Sequence, residues 1–276
     1  MAEITASEVA KLRKKTGAGM MDCKNALTEA NGDFDKASEI IRKKGQAIAN
    51  KRADREATEG VVLAKVSQDN KTGAMIVLNC ETDFVAKNDE FTGFANIILN
   101  TAVENKPAEL QELKNLTMDG KSIEECVVNQ SAVTGEKVVL SFYEKISAEY
   151  VLSYIHPGNK LASVVGFNKP DIDIQVAKDI AMQVAAMNPV AVDKDEVPKD
   201  VIEKEIEIGK EQARQEGKPE NLLEKIAMGK LNKFYNESTL LNQEFIKDSK
   251  KKVRQYLAEV DKELVVTGFL RYSLTD

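Results

Sequence analysis

GVVLAKVSQDNKTGAMIVLNCETDFVAKNDEFTGFANIILNTAV, residues 60–103, decides the fold class. Val61, Leu63 and Lys65 alternate with Val62, Ala64 and Val66, which predicts a strand with one stronger face. Residues 68–73 are turn-formers. Residues 74–80 form a nearly continuous apolar run and predict a second strand. Glu81-Thr82-Asp83-Phe84-Val85 ends it. Asn88 or Asp89 stands where a helix cap is wanted, before Phe91, Phe94, Ala95, Ile98 and Leu99 at helical spacing. The same order of strand, turn, strand and helix returns near 150–187. There it uses Tyr150–Ile155, the turn His156-Pro157-Gly158-Asn159, Leu161–Phe167 and a helix over 173–187 with Val176, Ile180, Val184 and Met187 in register. A strand over 138–144 precedes it. The expectation is an α+β protein with two related subdomains built on antiparallel sheets, one over 55–140 and one over 141–276.

Outward from this centre, residues 1–54 read as a small three-helix module. Thr5 or Ser7 caps the first helix, which carries Val9 and Leu12. Residues 16–19 (TGAG) break the pattern. A second helix over 20–30 puts Met21, Cys23 or Lys24, Ala26 and Leu27 near one side. A third runs over 34–44, and Gly45 is expected to end it, leaving a polar, mostly helical connector over 46–59. Toward the other end, Pro198 opens an antiparallel helical hairpin over 198–236. One stripe carries Ile202, Ile206, Gly209 and Ala213, the other Leu223, Ile226, Ala227, Leu231 and Phe234. A helix near 249–260 and a strand over 264–274 close the chain.

The 276 residues are 42% apolar and 30% charged, enough for a sizeable core. The formal charge is −6, so the whole chain is not built to coat nucleic acid. Residues 1–54 nevertheless carry 11 Lys/Arg against 8 Asp/Glu, a basic head (+3) on an acidic body (−9). No apolar run approaches a bilayer span, and the charges at the start do not fit a signal peptide. Three widely spaced cysteines form no framework, which makes a reducing cytoplasm the simplest home. A single histidine, His156, excludes multi-histidine zinc motifs, and no Ser-containing nucleophile elbow or phosphate-binding glycine loop is present. The expectation is a protein that is not an enzyme and holds no metal, nucleotide or cofactor of its own.

Two segments stand out. Met20 and Met21 lie together where a loop enters a helix, beside Arg13 and Lys24. Both cannot face a three-helix core, so one is expected at the surface as an adaptable partner contact. Thr82-Asp83-Phe84-Val85 lies where a buried strand meets a helix. Phe84 there is either a wedge for an apolar slot in a partner, with Asp83 competing for a nearby cation, or a ring packed on its own core with Asp83 in a cap.

LRKKTGAGMMDCKNAL (12–27) and ETDFVAKN (81–88) resemble the two signature segments of the elongation factor Ts family, nucleotide exchange factors for the GTPase elongation factor Tu. The likeness continues in order through HPGNKLASVVGF (156–167), AMQVAAMNP (181–189), GKPENLLEKI (217–226) and VTGFLRY (266–272). The resemblance implies that residues 1–54 form a ubiquitin-associated-like module that docks on Tu, followed by two core subdomains, the second with an inserted hairpin. It implies that Thr82, Asp83, Phe84 and Val85 form the tip that dislodges magnesium in Tu, and that Arg13, Met20, Met21 and Lys24 contact the same domain of Tu. It implies a heterodimer, or a dimer of heterodimers, with Tu, with no direct nucleic-acid or membrane contact. The contrasting reading is a stoichiometric, chaperone-like binder of a GTPase that does not speed exchange.

Overall fold

The computed structural model describes residues 4–276. Three helices come first: α1 (Ala6–Thr16), α2 (Met20–Glu29) and α3 (Phe34–Lys51). Thr5 caps α1 through a reciprocal box in which its side chain accepts from the Glu8 amide and the Glu8 carboxylate accepts from the Thr5 amide at 2.8 Å. Gly17, at φ 71°, closes α1 in the left-handed conformation. Leu12, Cys23, Leu27, Ala37 and Ile41 fill the small core between the three.

Gly45 does not end the third helix. α3 continues through it to Lys51, so the first part of the expected connector is helix. A Cβ at Gly45 would lie 3.0 Å from Ala132 Cβ and 3.2 Å from the Val128 carbonyl oxygen. Both belong to α7 (Ile123–Thr134). The glycine is a point of close helix approach, and it seats the N-terminal bundle against the body of the protein.

The body begins with β1 (Glu59–Val66) and β2 (Thr72–Cys80), then the single turn α4 (Asp83–Ala86) and the long helix α5 (Asp89–Asn105). α6 (Leu110–Asn115), a two-residue ladder of β3 (Thr117–Met118) with β4 (Lys121–Ser122), and α7 lead to β5 (Val139–Ser147). β6 (Tyr150–Ile155), β7 (Leu161–Phe167) and α8 (Ile174–Met187) follow. The hairpin is α9 (Lys199–Gln215) and α10 (Glu220–Ser238), touching where a Cβ on Gly209 would lie 3.1 Å from Ala227 Cα. β8 (Glu244–Phe245), β9 (Asp248–Lys252), α11 (Val253–Val260) and β10 (Val266–Ser273) complete the chain.

Two antiparallel three-stranded sheets result, in the orders β1-β2-β5 and β10-β7-β6. β5 pairs with β2, so the first sheet extends to Ser147 and the expected division at 140/141 falls inside one of its strands. The sheets pack face to face through Val62, Ala64, Met75 and Val77 on one side and Val151, Ala162 and Val164 on the other. The outer face of the first sheet, with Val61, Leu63, Ile76 and Leu78, lies under Phe91, Ala95, Ile98 and Leu99 of α5. The outer face of the second, with Val165 and Phe167, lies under Val176, Ile180 and Val184 of α8. Burial on both faces explains why residues 74–80 read as a continuous apolar run in an antiparallel sheet, where alternation is the usual pattern.

The helix expected from about 249 starts only at Val253. Residues 248–252 pair with β8 instead, and the Gln255 side chain accepts from the Lys252 amide at 2.9 Å to open α11.

Gly73 and Gly93 contrast two kinds of site. A Cβ at Gly73 would come within 2.5 Å of Val164 Cγ1 and 2.7 Å of Val151 Cγ1, between the sheets. At Gly93, on the outer side of α5, nothing lies within 4 Å. Gly73→Val is expected to lose about 3 kcal/mol or fail to fold, whereas Gly93→Ala should hold or gain up to about 1 kcal/mol. Urea denaturation of the two variants checks both.

Candidate functional site

The tip grows from the end of β2. Thr82 leaves the strand in extended conformation and caps α4, its hydroxyl accepting from the Val85 amide at 3.4 Å. A four-residue turn has little stability of its own, and other segments hold it. Glu136, in the α7–β5 loop, accepts from the Glu81 amide (3.1 Å), the Thr82 amide (3.0 Å) and the Thr82 hydroxyl (2.6 Å). Glu81 reaches the other way. Its carboxylate accepts from the Lys137 amide at 2.7 Å, from Arg52 Nη1 at 2.7 and 2.8 Å and from Arg55 Nη1 at 3.0 Å. Lys137 Nζ donates to the carbonyls of Ala53 and Arg55 at 2.6 and 2.9 Å. The end of β2, the start of β5 and the chain leaving α3 are thus tied in one polar clasp.

On this base the four tip residues divide their directions. Ala86 is buried and Val85 packs on the first core. Phe84 points the other way and is 83% exposed, the most exposed large apolar side chain among the described residues. The arrangement in which its ring packs on its own core is therefore absent. Asp83 is not the cap. It pairs with Lys87 at 2.6 Å, and that hydrogen bond holds its carboxyl below the usual range, with Lys160 adding to the effect.

Lys160 marks a neighbour that the sequence left remote. The β6–β7 turn of the second sheet reaches β1, where the Val62 amide donates to the Asn159 carbonyl at 2.7 Å and Lys160 pairs with Glu59 at 2.9 Å. His156 sits in that turn, its Nδ1 2.9 Å from the Tyr154 hydroxyl.

Arg13, Met20, Met21 and Lys24 are all exposed. Both methionines lie at the surface, where one was expected, because Cys23, Ala26 and Leu27 already fill the inner side of α2. Arg13 and Met20 border a shallow depression with Lys14, Gly17 and Glu90. Glu90 lies in the first turn of α5, just beyond the tip. Met21 and Lys24 lie outside that depression.

Glu81 and Glu136 are the residues that sequence reasoning missed. Glu136 follows Gly135 in a loop and resembles any solvated acid. Its bonding partners lie 54 and 55 positions away, and only the pairing of β5 with β2 brings them together. The three cysteines are free thiols. Among the described residues no group of three or more His, Cys, Asp or Glu is arranged to hold a metal ion, and no helix is long and apolar enough to cross a membrane. The site is a short turn tied down at its base by Glu136, with the Phe84 ring standing exposed on it.

Residues 81–276 match the family model described as elongation factor TS. The chain is 55% identical to elongation factor Ts of Porphyromonas gingivalis over 272 residues, covering 98% of each chain. It is 53% identical to that of Amoebophilus asiaticus over 270 residues, covering 97% of this chain and 98% of the relative. It is 45% identical to that of Chlorobium phaeobacteroides, covering 99% of each.

The clasp carries a pH signature. Burial pushes the Glu81 carboxyl up, but hydrogen bonds from Arg52, the Lys137 amide and Arg55 outweigh it and hold it at about 2, below the ordinary 4.5. A depressed carboxyl stabilises the fold fully above its unfolded pKa and loses that contribution as pH falls toward the folded value. Part of the chain's stability should therefore drain away between about pH 5 and pH 2. Glu81→Gln should be less stable than the parent by about 3 kcal/mol at pH 7, with the difference shrinking across that window. Urea denaturation at a series of pH values checks this, and a constant gap between the two proteins down to pH 2 would contradict it.

Proposed function

The chain belongs to the elongation factor Ts family, and from that premise we propose that it is a guanine nucleotide exchange factor in translation elongation. It binds elongation factor Tu carrying GDP, disturbs the magnesium and phosphate site and promotes GDP release, so that GTP can refill the site. The observation that carries this reading is Phe84, an aromatic ring 83% exposed on a tip whose backbone is tied down. An exposed ring on a preorganised base loses little conformational freedom when a partner buries it, and it suits a central anchor of an interface.

In this reading Phe84 wedges into an apolar slot in the nucleotide domain of Tu. Asp83 exchanges Lys87 for groups near the magnesium ion. Thr82 and Val85 hold the two ends of the turn. Arg13, Met20, Met21 and Lys24 dock on the same domain, with the methionines supplying adaptable apolar contact. The work is divided between a docking module over 1–54, the tip-bearing unit, whose sheet runs on through β5 to Ser147, and a second unit beyond it that reaches another part of Tu. During exchange the two proteins meet as a heterodimer, or a dimer of heterodimers, in the cytoplasm, without nucleic acid or membrane.

No covalent step is needed, so the protein acts by linkage and not as an enzyme. If it binds empty Tu more tightly than GDP-bound Tu, GDP must bind more weakly in its presence by the same factor. Burial of one aromatic side chain at such an interface accounts for about 2–3 kcal/mol, or roughly 30- to 150-fold.

Phe84→Ala should therefore melt within about 2 °C of the parent, because an exposed ring contributes little to the fold. It should slow GDP release from Tu by at least tenfold, given the burial estimate above. Asp83→Ala should give a smaller defect if apolar insertion dominates, and a larger one if charge competition near magnesium dominates. Thermal melting and labelled-GDP release on the same preparations check these outcomes. A Phe84→Ala protein as stable and as fast as the parent would remove the wedge.

A further inference from the structure

We propose that Glu136 is a positioning residue for exchange: it fixes the two backbone amides from which the tip springs and so sets the direction in which Phe84 projects. The inference rests on the exchange-factor reading and adds a residue to it.

The geometry is specific. One carboxylate oxygen of Glu136 takes both the Glu81 and the Thr82 amides, at 3.1 and 3.0 Å, while the other takes the Thr82 hydroxyl at 2.6 Å. Charge-assisted hydrogen bonds of this kind are short and directional. They fall on the two residues immediately before α4, a single turn that is also anchored by the Thr82 cap, by Val85 and Ala86, and by the Cys80 thiol, which donates to the Thr82 carbonyl at 3.2 Å.

The charge inventory around Glu136 points the same way. Among the described residues no Lys or Arg lies in ion-pair range of Glu136, whereas the adjacent Glu81 has Arg52 and Arg55. An acid used only to balance charge would sit against a cation. Glu136 spends its bonding on two amides and a hydroxyl, all at the base of the tip. Glu81 returns the link by accepting from the Lys137 amide, so residues 81–82 and 136–137 bind each other reciprocally. Phe84 gains from this a fixed origin, two residues away, that the short helix does not supply. A wedge acts only when it arrives in one orientation, because misdirected contacts are not made in the strained complex.

The test uses the full chain, elongation factor Tu loaded with labelled GDP, and the saturating release rate together with the concentration giving half that rate. Glu136→Ala is expected to lower the saturating rate about tenfold or more while the half-saturating concentration moves by no more than about threefold. The surfaces around Arg13, Met20 and Met21 still dock, and only the tip is misdirected. Hydrogen exchange at the Glu81 and Thr82 amides should accelerate in the same variant.

Glu136→Gln should restore the rate to within about threefold of the parent, since its amide oxygen still accepts the two N–H groups and its NH2 can donate to the Thr82 hydroxyl. If Glu136→Ala does not fold, Glu136→Asp takes its place. Its carboxylate is one methylene too short to reach the amides and should show the same fall in rate. Asp179→Ala, which breaks a buried network with Lys247 and Tyr256 in the second subdomain, controls for loss of stability alone.

A saturating rate in Glu136→Ala equal to the parent's, or a fall no larger than that of Asp179→Ala at matched melting temperature, would overturn the inference. Phe84→Ala measured alongside separates the two ideas. If Phe84→Ala is slow and Glu136→Ala is not, only the positioning role fails. If Phe84→Ala is as fast as the parent, the tip reading fails and the positioning role with it.

Discussion

β1 and β2 are buried on both faces, and the rest of the chain is arranged around that constraint. An antiparallel sheet ordinarily leaves one face to water. Here α5 covers one face and the second sheet covers the other, with Gly73 where the sheets leave no room for a Cβ. Strands held on both sides have no freedom to slide, since a one-residue slip would drive every side chain to the wrong side. The end of β2 is accordingly a rigid origin, and the tip begins at Thr82, two residues beyond Cys80. The β6–β7 turn comes to the same end because the packed sheets place it beside β1.

The clasp of Glu81 and Glu136 transmits that rigidity outward. Burial opposes the charge on Glu81. The arrangement is tolerated because Arg52 and Arg55 face Glu81 and because backbone amides satisfy the remaining lone pairs. The same arginines come from the chain leaving α3. The seating of the N-terminal bundle at Gly45 and the anchoring of the tip are therefore parts of one connected structure, although 35 or more residues separate Gly45 from the tip in sequence.

Much of this was legible in the sequence. The alternation in 60–66, the apolar run in 74–80 and the helical spacing of Phe91, Ala95, Ile98 and Leu99 specify their elements locally. The hairpin stripes do so as well, and the cap choices Thr5 or Ser7 and Asn88 or Asp89 are resolved by the structure to Thr5 and Asn88. What escaped depends on neighbours distant in the chain. Gly45 reads as a stop until α7 is seen against it. DSKKK at 248–252 has no apolar period, and becomes a strand only because β8 pairs with it. The strand expected over 138–144 reads as a lead-in to the second subdomain until its partner proves to be β2. Glu136 carries no local signal, since its role is written in bonds to residues 54 and 55 positions away.

The central claim is that this protein acts by repeated, reversible displacement of GDP and is not consumed in a lasting complex. Release of labelled GDP from elongation factor Tu in excess unlabelled GTP, with one molecule of this protein to many of Tu, tests it most directly. The account predicts that essentially all the label leaves Tu, at a rate proportional to the amount of protein added. Release that stops once each molecule has met one Tu, or that proceeds no faster than Tu alone, would contradict it.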